Sequence, residues 1–240
     1  GGWILRVWNT TPAEQRDTLI ADLESCLRGC IGHLHGARHL AFLLASRQGI
    51  GQARAMLERL GTHRRSDPEL IEALADVMLS YGEGQTDAQA AADLLVEAVE
   101  QFPSHIDLRL SLANAYAVLL REDDERGVVE EILRRVPTQA RARVRLATLL
   151  DRGGEREQAL ALLRQAVDLD PLDDYAWNAL ATHRRLHAMP LEAIDTLREA
   201  VARVPESIGL SRALIDALQD FGRHAEAVQE ARRLVGVFPD

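Results

Sequence analysis

Two arrangements of side chains in this sequence have the types and spacing for chemistry. The first is Cys26-x3-Cys30-x2-His33-x-His35-x3-His39. Cys26 with Cys30, and His35 with His39, are each four residues apart, so each pair would share a helix face. Two thiolates and two imidazoles could hold zinc tetrahedrally. The Cys-x3-Cys spacing is not that of a usual zinc knuckle, however, and cysteine is a common small buried residue. Core cysteines and surface histidines are therefore the default reading, and no metal or cofactor is predicted. The second arrangement is Arg141 and Arg145. They too share a helix face, and their guanidinium forks could take one carboxylate together.

Enzyme motifs are absent. All 28 basic residues are arginine. Without lysine there is no P-loop, no Schiff base and no protein-kinase core. Gly49-Ile-Gly-Gln-Ala-Arg54 lacks the third glycine of a dinucleotide-binding turn and follows a helical pattern instead of a strand. No HExxH or GxSxG occurs, so the chain is predicted to be non-catalytic. The missing lysine, with scarce asparagine and phenylalanine, points to a GC-rich bacterial genome.

Net charge is −9, and phosphate neutralisation needs a basic surface, so nucleic acid is not an expected partner. The basic stretch Arg134–Arg145 is balanced by Glu130 and Glu131. The acidic run Glu122-Asp-Asp-Glu125 is predicted to be a solvated loop between helices. Two cysteines are too few for a disulfide framework, which favours a reducing, cytoplasmic compartment. No apolar run approaches the roughly 18 residues that suggest a membrane span.

The elements that must position these residues are helical. Leucine (37) and alanine (35) dominate, while Gly (16) and Pro (8) are few. Pro103, Pro137, Pro171, Pro205 and Pro239 lie 34 residues apart, each after an apolar helical run. Proline cannot continue a helix and so marks one stop per repeat. Within the stretch 174–207, Trp177, Leu180 and Ala181 predict a first helix over Asp174–His187. Ala193, Leu197 and Ala200 predict a second over Pro190–Val204.

Trp177, Leu180, Ala181, Ala193, Leu197, Ala200 and Pro205 at these spacings resemble the tetratricopeptide repeat, with Arg184 where the family has tyrosine. Six units are set in register: 34–67, 68–105, 106–139, 140–173, 174–207 and 208–240. The seventh position is leucine in all six (Leu40, Leu74, Leu112, Leu146, Leu180, Leu214). The twentieth is Ala53, Ala91, Ala159, Ala193 and Ala227, with Glu125 as the exception. Unit 68–105 carries four extra residues, predicted to enlarge the turn around Tyr81–Thr86.

The resemblance implies an all-α solenoid of helix–turn–helix units, a superhelix whose concave face is lined by first helices. It places Asp107, Leu110, Ser111 and Asn114 in the groove, then Arg141, Val144, Arg145 and Thr148. Tyr175, Asn178, Thr182 and Arg185 follow, and finally Arg212 and Asp216. Asn114 and Asn178 could clamp a peptide backbone through both donor and acceptor. A family subtype holds a C-terminal carboxylate with basic and Asn residues on three successive first helices. Arg141 and Arg145 match its third helix, but Ser111 replaces an asparagine and Glu72 and Asp76 replace its first pair, so that clamp is broken. The expected function is a protein-interaction scaffold binding a peptide or partner protein. The alternatives are a recruiting arm of a larger enzyme and a self-assembling scaffold.

Residues 1–33 are expected to hold a strand-like segment, Trp3–Trp8, and a capping helix begun by Thr11, Pro12 and Glu14. A chain that starts at Gly1-Gly2 reads as a cut fragment. Its end at Pro239-Asp240, with no polar capping helix, predicts further chain or a homodimer through the last repeat.

Overall fold

The computed structural model describes residues 12, 15–29, 34–61 and 67–237. Among them are thirteen helices and no strand: α1 Arg16–Gly29, α2 Leu34–Gln48, α3 Ile50–Gly61, α4 Pro68–Tyr81, α5 Gln85–Gln101, α6 Ile106–Val118 and α7 Glu122–Arg135. α8 Ala140–Arg152, α9 Arg156–Leu169, α10 Asp174–Leu186, α11 Pro190–Arg203, α12 Ile208–Asp220 and α13 His224–Val237 complete the series. The chain divides into two compact units, Gly1–Val128 and Val129–Asp240. The Trp3–Trp8 segment, Thr11, Glu14 and Pro239 lie outside the described residues, as do the side chains of Cys26, Cys30, His33 and His35.

Two turns recur at the 34-residue spacing and shape every hairpin from α6 onward. The first joins the helices within a hairpin. The backbone N–H groups of Arg121, Glu155, Met189 and Arg223 donate to the carbonyls of Tyr116, Leu150, Arg184 and Leu218, at 2.7–2.9 Å. The residue before each donor is left-handed: Leu120 (φ 57°), Gly154 (87°), Ala188 (58°) and Gly222 (73°). This is the Schellman closure of a helix C-terminus. The second turn joins one hairpin to the next. His105, Gln139, Asp173 and Ser207 donate their N–H to the carbonyls of Phe102, Val136, Asp170 and Val204. Each repeat proline from Pro103 to Pro205 is the second residue of such a four-residue turn, where its fixed φ fits and no N–H is needed. The prolines thus do more than stop helices: they set the angle of the next one.

Small residues let the hairpin helices meet. Ala53, Ala91, Ala159, Ala193 and Ala227 are all buried, as are Ala41, Ala75, Ala113, Ala147 and Ala181 on the facing helices. Leu40, Leu112, Leu180 and Leu214 are buried between hairpins, while Leu74 and Leu146 are partly buried against the same clusters. First helices pack on first helices, α2 on α4 on α6 in one unit and α8 on α10 on α12 in the other. Trp177 fills the junction at the head of α10, and its indole donates to the Pro171 carbonyl at 2.9 Å. A buried indole N–H needs such a partner. Leu19, Ile20 and Leu23 of α1 pack on the core of the α2–α3 hairpin.

Three expectations are corrected. The four extra residues of 68–105 do not enlarge a turn. Gly82–Gly84 is as short as the other turns, α4 is one residue longer than α6, and α5, with 17 residues, is three longer than α7. Alanines at 88, 91 and 92 continue the buried face, so the insertion is taken up as helix. Glu122–Glu125 is no loop; it is the first turn of α7, where acidic side chains favour the positive helix end, and Glu125 is buried. Ser111 and Val144, assigned to the groove wall, are buried instead.

Leu120 and Ala188 hold left-handed backbone without being glycine, at a cost of roughly 1–2 kcal/mol each. Replacing both with glycine is expected to raise the melting temperature, a gain of about 0.5–1 kcal/mol per site after the entropy of glycine is counted. Thermal unfolding followed by circular dichroism checks this.

Candidate functional site

Polar side chains meet across neighbouring repeats. Polar partners accordingly fall 32–36 residues apart in sequence: Arg38 with Glu72, Arg54 with Asp87, Arg141 with Asp173, Ser207 with Asp174 and His187 with Asp151.

The second unit contains the candidate groove. Asn178, Thr182 and Arg185 on α10 and Arg212 and Asp216 on α12 border a cavity of about 380 Å³, whose floor is Ala181, Ala193, Ala213, Ala217 and Leu197. The five sequence-predicted residues Asn178, Thr182, Arg185, Arg212 and Asp216 are therefore brought together. Short floor residues leave the width, and i,i+4 steps along α10 and α12 put the polar groups on one side of each helix. Arg185 Nη1 lies 3.4 Å from Asp220 Oδ2, and both side chains are about half exposed. Such an exposed pair is weak and free to exchange partners.

The other predicted residues are dispersed. Arg141 is exposed and points its Nε at Asp173 Oδ2, 3.4 Å away. Asp173 is the buried N-cap of α10, accepting from the Tyr175 N–H at 3.1 Å, so Arg141 is anchored to the hairpin junction. Thr148 is exposed, and its hydroxyl donates to the Val144 carbonyl. Arg145 is half-buried and Tyr175 exposed. Asp107 and Asn114 stand on α6 in the first unit, Asp107 exposed and Asn114 half-buried. Arg184, at the family's tyrosine position, donates to the Glu192 carbonyl and to Thr196 Oγ1 on α11, tying its own hairpin together.

Two polar clusters escaped the sequence reading. In the first unit Arg38 of α2 reaches both Glu72 (3.1 Å) and Asp76 of α4. Burial pushes both carboxyls above their ordinary range; Arg38 opposes this, and neighbouring Asp76 and Asp107 add to it at Glu72. The pair that breaks the carboxylate clamp is thus a partly desolvated acidic site already holding an arginine. In the second unit Asp151 of α8 meets His183 and His187 at the end of α10. Its Oδ1 is 2.6 Å from His187 Nε2 and its Oδ2 is 3.4 Å from His183 Nδ1. The two imidazoles are stacked obliquely, centroids 4.5 Å apart. Burial holds His183 below its ordinary value, with Asp151 working the other way.

Residues 127–182 match the sequence model of the tetratricopeptide repeat. No curated protein matches in sequence. Among solved structures, the protein TTC0263 of Thermus thermophilus, described as a thermophilic tetratricopeptide-repeat protein, is 22% identical; the match covers 78% of this chain and 99% of that one, with a TM-score of 0.65. Yeast Tom70 is 16% identical over 85% of this chain and 43% of its own, with a TM-score of 0.67. Human IFIT1, solved as a dimer with m7Gppp-AAAA, is 16% identical over 92% of this chain and 56% of its own, with a TM-score of 0.59. At these identities the likeness shows the fold.

A raised carboxyl pKa means the charged form is disfavoured in the folded state. Asp76 therefore costs stability above its unfolded value near 3.8, fully once pH exceeds the raised folded value. Asp76→Asn is expected to melt higher than the parent at pH 7, with the gap closing as pH falls below 4; melting curves across pH check the sign.

Residues 127–182 match the tetratricopeptide-repeat family, and the stacked helical hairpins share the fold of solved tetratricopeptide-repeat structures.

Proposed function

We propose that the groove between α10 and α12 binds an extended peptide segment of a partner protein, and that the chain itself performs no reaction. The observation that carries this reading is the convergence of Asn178, Thr182, Arg185, Arg212 and Asp216 on one alanine-floored cavity. An asparagine amide both donates and accepts, which suits a peptide backbone. The alanine floor lets that backbone come close. Arg185 and Arg212 offer planar forks for a carboxylate, and Asp216 a counter-charge that sets direction.

A peptide carrying an acidic side chain or a free C-terminus fits this set of groups. Arg141, Arg145, Thr148 and Tyr175 on α8 and α10, and Asp107 and Asn114 on α6, lie outside this cavity and would contribute only secondary contacts. The repeats over 34–240 would serve partner recognition, with the preceding helix as a cap. A net charge of −9 favours protein over nucleic acid as partner. No described helix is long and apolar enough to cross a membrane.

The test is retention of partners from an extract of the source organism. Arg185→Glu with Arg212→Glu is expected to lose the retained protein at least about tenfold, since each charge-assisted hydrogen bond is worth roughly 1.5–3 kcal/mol. Arg156→Glu with Arg203→Glu, an equal change of charge on second helices, should leave retention intact. Equal retention by both double variants, each melting near the parent temperature, overturns the groove assignment.

A further inference from the structure

We propose that Asp151, His183 and His187 form a binding site for a divalent transition-metal ion, with zinc as the ion of choice. His183 and His187 stand four residues apart at the end of α10, so they share a face. Asp151 comes from the neighbouring first helix, and the three ligand atoms, one from each residue, all lie within 4.8 Å of one another. Two imidazoles and one carboxylate from two rigid helices are a borderline-soft donor set suited to zinc, with the fourth position left to water or to a group on a bound partner.

The cluster is unfinished as a purely hydrogen-bonded one. His183 is 4% exposed, and its buried Nδ1 makes no hydrogen bond among the described residues. Asp151 Oδ2 faces it at 3.4 Å, in ion-pair range but outside hydrogen-bond geometry. A buried nitrogen left without a partner is costly, and a coordinated cation would satisfy it. His187 already sits 2.6 Å from Asp151 with its Nε2 turned to the carboxylate, so the ion would take the place of the contact between them. Neither of these two residues is deeply sealed: their side chains are 16% and 19% exposed, which leaves an entry path.

The test titrates zinc chloride alone into the chain carrying Cys26→Ser and Cys30→Ser, which removes the other metal-like cluster, and follows heat release and melting temperature. One equivalent of zinc is expected, with a rise in melting temperature set by the free zinc concentration. In that background D151N and H187Q are each expected to weaken binding at least about tenfold, because loss even of an outer-shell partner costs about 10–100-fold. Both variants replace half-open polar groups with close isosteres, and their metal-free melting curves verify that they fold. No zinc uptake by the Cys-free chain overturns the site. So does an equivalent that binds as tightly to folded D151N and H187Q.

Discussion

The structure depends on a pair of hydrogen-bonded turns that repeat every 34 residues. One closes each hairpin from α6 onward by a left-handed residue and a bond back to the fifth residue before the donor. The other, begun at a helix C-cap and carrying proline second, launches the next hairpin. Neither contains more than a few residues, so both crossing angles are fixed by backbone geometry. Packing then follows. Alanine at the contact points allows close helices, and leucines fill the space between hairpins, giving each unit a core that runs along the stack.

The same repetition decides what can meet. A residue on a first helix faces its equivalent about one repeat away, which is why the Arg38–Glu72, Arg141–Asp173 and Asp151–His187 pairs span 32–36 positions. The groove and the Asp151–His183–His187 cluster are two products of this rule in the second unit. In the groove the side chains stay half exposed and exchangeable. In the cluster they are held tightly together. The absence of lysine gives this surface a particular character, since every permanent cation on it is a planar arginine fork.

Much of this was legible in the residues. The proline series, the alanines at the contact positions and the leucines between hairpins are all local patterns with a physical cause, and they placed the helices to within a residue or two. Five predicted groove residues fell on one cavity because their helix faces follow from the register. What was hidden had equally physical reasons. Leu120 and Ala188 adopt a backbone usually reserved for glycine because the closing hydrogen bond demands it, and their side chains give no sign of that. The extra residues of 68–105 looked like a loop because Gly82 and Gly84 bracket it; the alanine face of α5 was the missed signal. Asp151 and its two histidines are far apart in sequence. Looking for ligating pairs near one repeat's separation would have found them.

Everything above rests on the recurring turns, and amide hydrogen exchange resolved by residue measures them most directly. Slow exchange is expected at Arg121, Glu155, Met189 and Arg223, and again at His105, Gln139, Asp173 and Ser207, all outside helices yet hydrogen-bonded. Exchange at these eight amides as fast as in an open loop, while the helices around them stay protected, would contradict it.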